Sequence, residues 1–217
     1  MAKSGRARIR QIGDPVLRKK ALPVDDVSSR AFRHQAERLK NALSAFRQKH
    51  GFGRAIAAPQ IGISRRFIVI DLGRGPLVMV NPEIVWTSRR RFTMYDDCMS
   101  FPALMVRLRR HDSVSVRYTD ERGRLRTRPH LPRALSELLQ HEMDHLDGVL
   151  AVDRTHRRGA IVPRHMYERD RAAYDSKVDY AIAGKAPQAK RSAAPRRPAK
   201  AKRRRRRKAR AAKRRRR

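Results

Sequence analysis

The stretch Gln140-His141-Glu142-Met143-Asp144-His145-Leu146-Asp147-Gly148-Val149-Leu150 decides how the rest of the chain is read. His141 and His145 are four residues apart, so on a helix their imidazoles leave one face a single turn from each other. Two ring nitrogens then converge on one metal ion. Glu142, beside the first histidine, brings a carboxylate within reach of a water in an open coordination position. With 8 His and 6 Glu in 217 residues, His-Glu-x-x-His arises by chance in roughly 1 chain in 100. The bland alternative is a histidine pair on an amphipathic helix with no ion between them. A third protein ligand separates the two readings, because a catalytic centre takes three and leaves the fourth position for water.

Around that stretch, Leu135, Leu138, Leu139 and Leu146 give the helix an apolar stripe, and Pro132 suits its first position. So many leucines place it centrally, packed by sheets on its flanks. An earlier helix is expected over Ser29 to Lys49, where Phe32, Ala36, Leu39, Leu43 and Phe46 recur at helical spacing, with Ser28 or Ser29 as cap and Gly51 as stop. Ile9 to Val24, punctuated by prolines, reads as an extended arm. Phe67 to Leu72 and Leu77 to Trp86 read as strands, and Asp120-Glu121-Arg122-Gly123 as a hairpin turn. The arginines and His111 around that part of the chain read as solvated strand residues. Val149 to Asp153 reads as a short strand or extended piece, and Ile161 to Ala183 as a third helix.

The candidate third ligand is Cys98, the chain's one cysteine, set in Asp96-Asp97-Cys98-Met99-Ser100-Phe101-Pro102. A lone cysteine packs, binds metal or attacks as a nucleophile, and cannot form an internal disulfide. Two imidazoles and one thiolate make a centre with a vacant tetrahedral position. One protease class completes His-Glu-x-x-His-x-x-Gly with a histidine where this chain has Ala151; a second uses a later glutamate, for which Glu168 is the candidate. The small-residue stretch Gly53-Arg54-Ala55-Ile56-Ala57-Ala58-Pro59-Gln60 lets a backbone approach a ligand closely. Gln60 is its one long uncharged polar side chain, either capping a turn or facing that ligand.

Together these three stretches resemble the peptide deformylases, whose signatures are Gly-x-Gly-Leu-Ala-Ala-Pro-Gln, Glu-Gly-Cys-Leu-Ser and Gln-His-Glu-x-Asp-His-Leu-x-Gly. The resemblance runs from about Ile9 to Arg169 and includes the arm Ile12-Gly13-Asp14-Pro15-Val16-Leu17-Arg18. It implies an α+β fold with small antiparallel sheets around the metal-binding helix. It implies one divalent ion, ferrous iron natively and replaceable by zinc, nickel or cobalt, held by Cys98, His141 and His145. The implied reaction is removal of the formyl group from the N-terminal formylmethionine of new polypeptides, with Glu142 as general acid and base. The Gln60 amide and the Met99 backbone N–H would stabilise the oxyanion, and Gly53 and Ile56 would flank the substrate. Besides Ile56 and Met99 in place of leucines, three positions depart from the signatures: Ala55, whose methyl would crowd a bound peptide, and Asp96-Asp97 in place of Glu-Gly. Asp97 adds negative charge next to the thiolate.

Composition divides the chain in two. Net charge is +35, yet residues 185–217 hold 19 Lys and Arg and no acid, leaving 36 basic against 20 acidic residues in 1–184. The expected organisation is a catalytic domain over 1–184 and a disordered Arg/Lys-rich tail over 185–217. A tail of that charge binds polyphosphate by counterion release, and ribosomal RNA is its natural target. With no apolar run of membrane-spanning length and no apolar leader, the reading is of a cytoplasmic monomer with no membrane partner. Two other classes remain open on sequence: a zinc metalloprotease, and a polyanion-binding protein whose metal site is inert. Within the first class, another N-formylated molecule is an alternative substrate.

Overall fold

Strand β2 (Phe67–Ile70) is buried on both faces, and its alternation sorts the molecule into layers. Phe67 and Val69 point into one core with Phe32, Ala36, Leu39, Leu43 and Phe46 of helix α1 (Arg30–His50). Ile68 and Ile70 point into a second core with Leu138, Leu139, Met143 and Leu146 of helix α2 (Arg133–Leu146). The computed structural model describes residues 7–155 and 158–182. The expected disordered tail, 185–217, lies outside them.

The sheet between the two helices is antiparallel, with order β1-β2-β3-β6-β7, where β1 is Ala55–Ala57, β3 Leu77–Thr87, β6 Val114–Thr119 and β7 Leu125–Arg128. β1 is an edge strand: Ile56 faces the α1 core, while Ala55 and Ala57 face the α2 core. A second antiparallel sheet, β4-β5-β8, is built from Arg91–Asp97, Leu104–His111 and Ile161–Pro163. Its inner face packs Phe92, Met94, Val106 and Leu108 against Cys98, Leu150 and Leu17. The fold is therefore α+β, with small antiparallel sheets on the flanks of a central helix.

Local chemistry explains the element ends. Ser29 Oγ accepts the Phe32 N–H at the start of α1, and Gly51, at φ 75°, closes it in the left-handed conformation. Every residue of α2 from Ser136 to Leu146 is buried, so polar side chains in that run must find partners inside the protein. Gly148, at φ 74°, follows α2; a Cβ there would lie 2.6 Å from the Arg18 carbonyl oxygen, closer than side chains pack.

Three expectations are corrected. Ile161 to Ala183 is not one helix: Ile161–Pro163 pairs with β5, and two short helices follow, α3 (Arg164–Arg169) and α4 (Arg171–Asp175). Pro163 holds the residue before it extended, and Asp170, at φ −129° and ψ 52°, breaks the helical path. Val149 to Asp153 is extended only to Leu150, after which Ala151–Arg154 makes a 3-10 turn with Asp153 Oδ2 accepting the Leu150 N–H. The arginines of β5 are not all solvated, since Arg110 is buried. Within the arm, Pro15–Arg18 coils into a 3-10 turn capped by Asp14.

The arm ties the three motif stretches together. The Arg10 N–H donates to Gln60 O at 2.7 Å, Ile12 N–H to Ser100 O at 2.8 Å, and Ala21 N–H to Leu146 O at 2.8 Å.

Candidate metal centre

α2 projects His141 and His145 from one face, their ring centroids 5.0 Å apart, and β4 delivers Cys98 to them just beyond its last residue. Cys98 Sγ lies 3.2 Å from His145 Nε2, and one donor atom from each of Cys98, His141 and His145 lies within 4.8 Å of the others. Among the described residues these form the one such cluster of His, Cys, Asp or Glu, and all three are buried. Tetrahedral bonds of about 2.3 Å to sulfur and about 2.0–2.1 Å to nitrogen put ligand atoms roughly 3.4–3.6 Å apart. The cluster is thus close to the spacing an ion requires.

The surrounding charges favour a cation there. Asp96 Oδ2 accepts from His141 Nδ1 at 3.0 Å, which leaves Nε2 of that ring free to ligate. Burial alone would raise Asp96, but the His141 imidazole and the Arg110 guanidinium outweigh it and hold the carboxyl well below the usual range. Burial likewise disfavours charge on His141, yet Asp96 and the Cys98 sulfur beside it favour positive charge more strongly. His145 is pushed the other way, by burial and then by His141, towards the neutral imidazole that a metal requires.

Arg110, 4% exposed, donates Nη2 to Asp96 at 2.9 Å and Nη1 to Asp144, which also takes Arg154. Sequence reasoning gave Asp96 no role. Its signal was there, because residues 96 and 98 share a face when a strand runs through them. Arg110 gave no signal, since its partners sit 14 and 34 residues away in sequence. Asp97, expected to load the thiolate with negative charge, instead pairs with Arg164 Nη2 at 2.9 Å, and that guanidinium lies over the Phe52 ring.

Glu142 is buried beside the cluster, and its Oε2 has no hydrogen-bond partner among the described residues. Burial pushes its carboxyl up to about 7, opposed by His141 and reinforced by Asp96. Gln60 caps the turn, its Oε1 accepting the Ala57 N–H at 2.9 Å, while Nε2 points at Ser100 Oγ (3.2 Å) and Cys98 Sγ (3.6 Å). The Met99 N–H has no acceptor among the described residues, and its carbonyl takes Gln11 Nε2. Gly53, at φ 113°, would put a Cβ 3.4 Å from Phe46 and 3.5 Å from Met99 Sδ, so conformation rather than space requires glycine. Ile56 is fully buried against α1, and Ala55 buries its methyl under α2.

One pair was not foreseen. Arg54 Nη2 lies 2.6 Å from Glu137 Oε1, one turn before His141, in an ion pair that lacks the alignment of a hydrogen bond. Burial outweighs Arg54 and pushes Glu137 up to about 7. Glu168, the alternative ligand, is 62% exposed on α3, faces Arg164, and stands outside the cluster.

A cysteine delivered by the end of β4 to two imidazoles and an unpartnered carboxyl on a buried helix makes the donor set of a metallohydrolase centre. Comparison with known proteins gives the family. Residues 6–160 match the model of the family described as polypeptide deformylase. The peptide deformylase of Thermotoga neapolitana is 41% identical over 147 residues, spanning 68% of this chain and 85% of that protein. The crystal structure of the Thermotoga maritima peptide deformylase superposes with a TM-score of 0.63 at 38% identity, covering 70% of this chain and 98% of that one. That of the Synechococcus elongatus enzyme in complex with actinonin gives 0.65 at 35%, covering 73% and 82%. The chain belongs to the peptide deformylase family, hydrolases that use a single catalytic metal to remove N-formyl groups from nascent peptides. No helix among the described residues is long and apolar enough to cross a membrane.

Proposed function

We propose that this protein deformylates the N-terminal formylmethionine of newly made polypeptides, with Cys98, His141 and His145 as metal ligands and Glu142 as the proton carrier. The supporting observation is the convergence of three buried donor atoms within 4.8 Å beside a carboxylate whose Oε2 is unpartnered. A divalent ion bound there, ferrous iron by family resemblance, supplies Lewis acidity and a water of lowered pKa.

Glu142 takes one proton from water as the oxygen bonds to the formyl carbon, then delivers it to the amide nitrogen as the C–N bond breaks. The products are formate and a free amino terminus. Burial, which works to raise the Glu142 carboxyl, favours its taking up and holding the proton between the two halves of that transfer. Gln60 Nε2 and the Met99 N–H serve as donors to the oxyanion in this reading; losing one such donor typically costs about 2.7–4 kcal/mol of barrier lowering. Asp96 positions His141 and sets its tautomer. An extended peptide fits along the free edge of β1, with Gly53 and Ile56 flanking its backbone and side chain.

The protein acts as a cytoplasmic monomer, and the basic segment 185–217 tethers it to ribosomal RNA where formylated chains emerge. The test is anaerobic purification with metal analysis and a formate assay on formyl-Met-Ala-Ser, run on the native chain and on Cys98→Ala. The variant is expected to lose both bound metal and formate release. A Cys98→Ala protein with a full equivalent of metal and the native rate overturns the assignment.

A further inference from the structure

A cavity of about 810 Å³ opens on a different side of α2, lined by Gln140, Met143, Asp144 and Asp147 and by none of Cys98, His141, Glu142 or His145. Its walls carry six cations: Lys20, Arg66, Arg91, Arg109, Arg110 and Arg154. The lining acids do not balance them. Asp147 is taken by Arg66, Asp144 by Arg110 and Arg154, and Glu83 by Arg117, which lies outside the cavity lining. Lys20, Arg91 and Arg109 are exposed and have no carboxylate within ion-pair distance among the described residues.

Arg91 Nη2 meets the His111 ring at 3.1 Å, and Asp179, outside the lining, partly offsets Arg109; the positive charge that remains on one concave surface is focused outward onto an anion. Exposed Arg89 and Arg90, in the β3–β4 turn, directly precede Arg91 and extend the run of positive charge outside the lining. No Phe, Tyr or Trp lines the cavity, so bases have nothing to stack on and phosphates are what it reads.

We propose that this cavity binds closely spaced phosphates, and that its occupant is the phosphodiester backbone of RNA. A run of charge that continues outside the lining fits a chain better than a compact ion. The site belongs to the folded body and shares no lining residue with Cys98, His141, Glu142 or His145, although Arg110 in its wall also holds Asp96. Free polyphosphate offers the same chemistry, and the test separates the two sources.

The experiment uses the full chain, so the tail's own affinity for polyanions must be separated from the cavity's. Arg91 and Arg109 are probed by phenylglyoxal modification and mass spectrometry, with exposed Arg33 and Arg38 of α1 as internal controls, alone and with a mixed-sequence RNA duplex or tripolyphosphate. In parallel, the triple variant Lys20→Ala/Arg91→Ala/Arg109→Ala is compared with the charge-matched Arg33→Ala/Arg38→Ala/Lys49→Ala, after both show the native thermal midpoint. RNA is expected to protect Arg91 and Arg109 several-fold more than Arg33 and Arg38. The cavity triple should bind RNA roughly tenfold more weakly and lower the salt slope of binding by about 2 to 3, at about 0.9 per phosphate contact. The control triple should change little. Protection by the duplex but not by tripolyphosphate assigns the site to RNA; protection by tripolyphosphate alone retains a phosphate site but overturns RNA as its occupant. Equal protection of all four arginines, or equal weakening in both triples, overturns the proposal.

Discussion

On one side of α2, Glu142 Oε2 and His145 Nδ1 are buried without a hydrogen-bond partner among the described residues. On the other, Asp144 takes the guanidinium groups of both Arg110 and Arg154, and Asp147 takes Arg66. One helix carries both, a residue or two apart. Buried polar groups in folded proteins are nearly always paired, so the atoms left unpaired cost stability, most of them on the metal side and Arg110 Nε on the other. The side that pairs them holds the helix in place.

Mutations sharpen that contrast. Glu142→Gln is expected to cut formate release by about 10²–10⁴-fold, with bound metal retained and the thermal midpoint unchanged or raised, because the lost charge had no partner. Formate kinetics and calorimetry on the same preparation check both halves. A variant that melts earlier would make the two sides alike. Asp144→Ala should cost about 3–5 kcal/mol in denaturant unfolding, since it removes a counter-charge from buried Arg110.

Glu137→Gln tests the boundary between the two sides through pH. The folded carboxyl keeps its proton to about 7, against 4.5 for the ordinary group. Between those values the native state binds more protons than the unfolded one, so this residue's effect is to lower stability as pH rises from 4.5 through 7. The shift corresponds to about 3 kcal/mol at most. Unfolding midpoints measured from pH 4 to 8 should show the variant gaining on the native protein across that window and level with it below. A constant difference at every pH would mean the burial of Glu137 is not what displaces it. Smallest is Arg154→Ala, expected to cost about 0–1 kcal/mol because its side chain is 48% exposed. A loss as large as that of Asp144→Ala would show that the exposed guanidinium, not the buried one, anchors the helix.

Much of this was legible in the chain because local spacing carried it. Four-residue spacing placed His141 and His145, the leucine stripe placed α2 at the centre, and Phe32 through Phe46 with Ser29 and Gly51 gave α1 its face and ends. What escaped depends on contacts between distant segments. Arg110 looks like its exposed neighbour Arg109 until β4 and α2 bring Asp96 and Asp144 to it. Arg54 and Glu137 meet across 83 positions with no periodicity to announce them. Ile161 to Ala183 read as one helix because β-sheet pairing to β5 and the break at Asp170 leave little trace in apolar spacing.

The arm has a consequence for the order of assembly. Its amides are fastened to Gln60, Ser100 and Leu146, so residues 10–21 are held in place only once a segment some 125 residues further along the chain is available. Contacts of such long sequence separation form slowly. The three motif stretches are thus tied together only when the arm and the far helix have met.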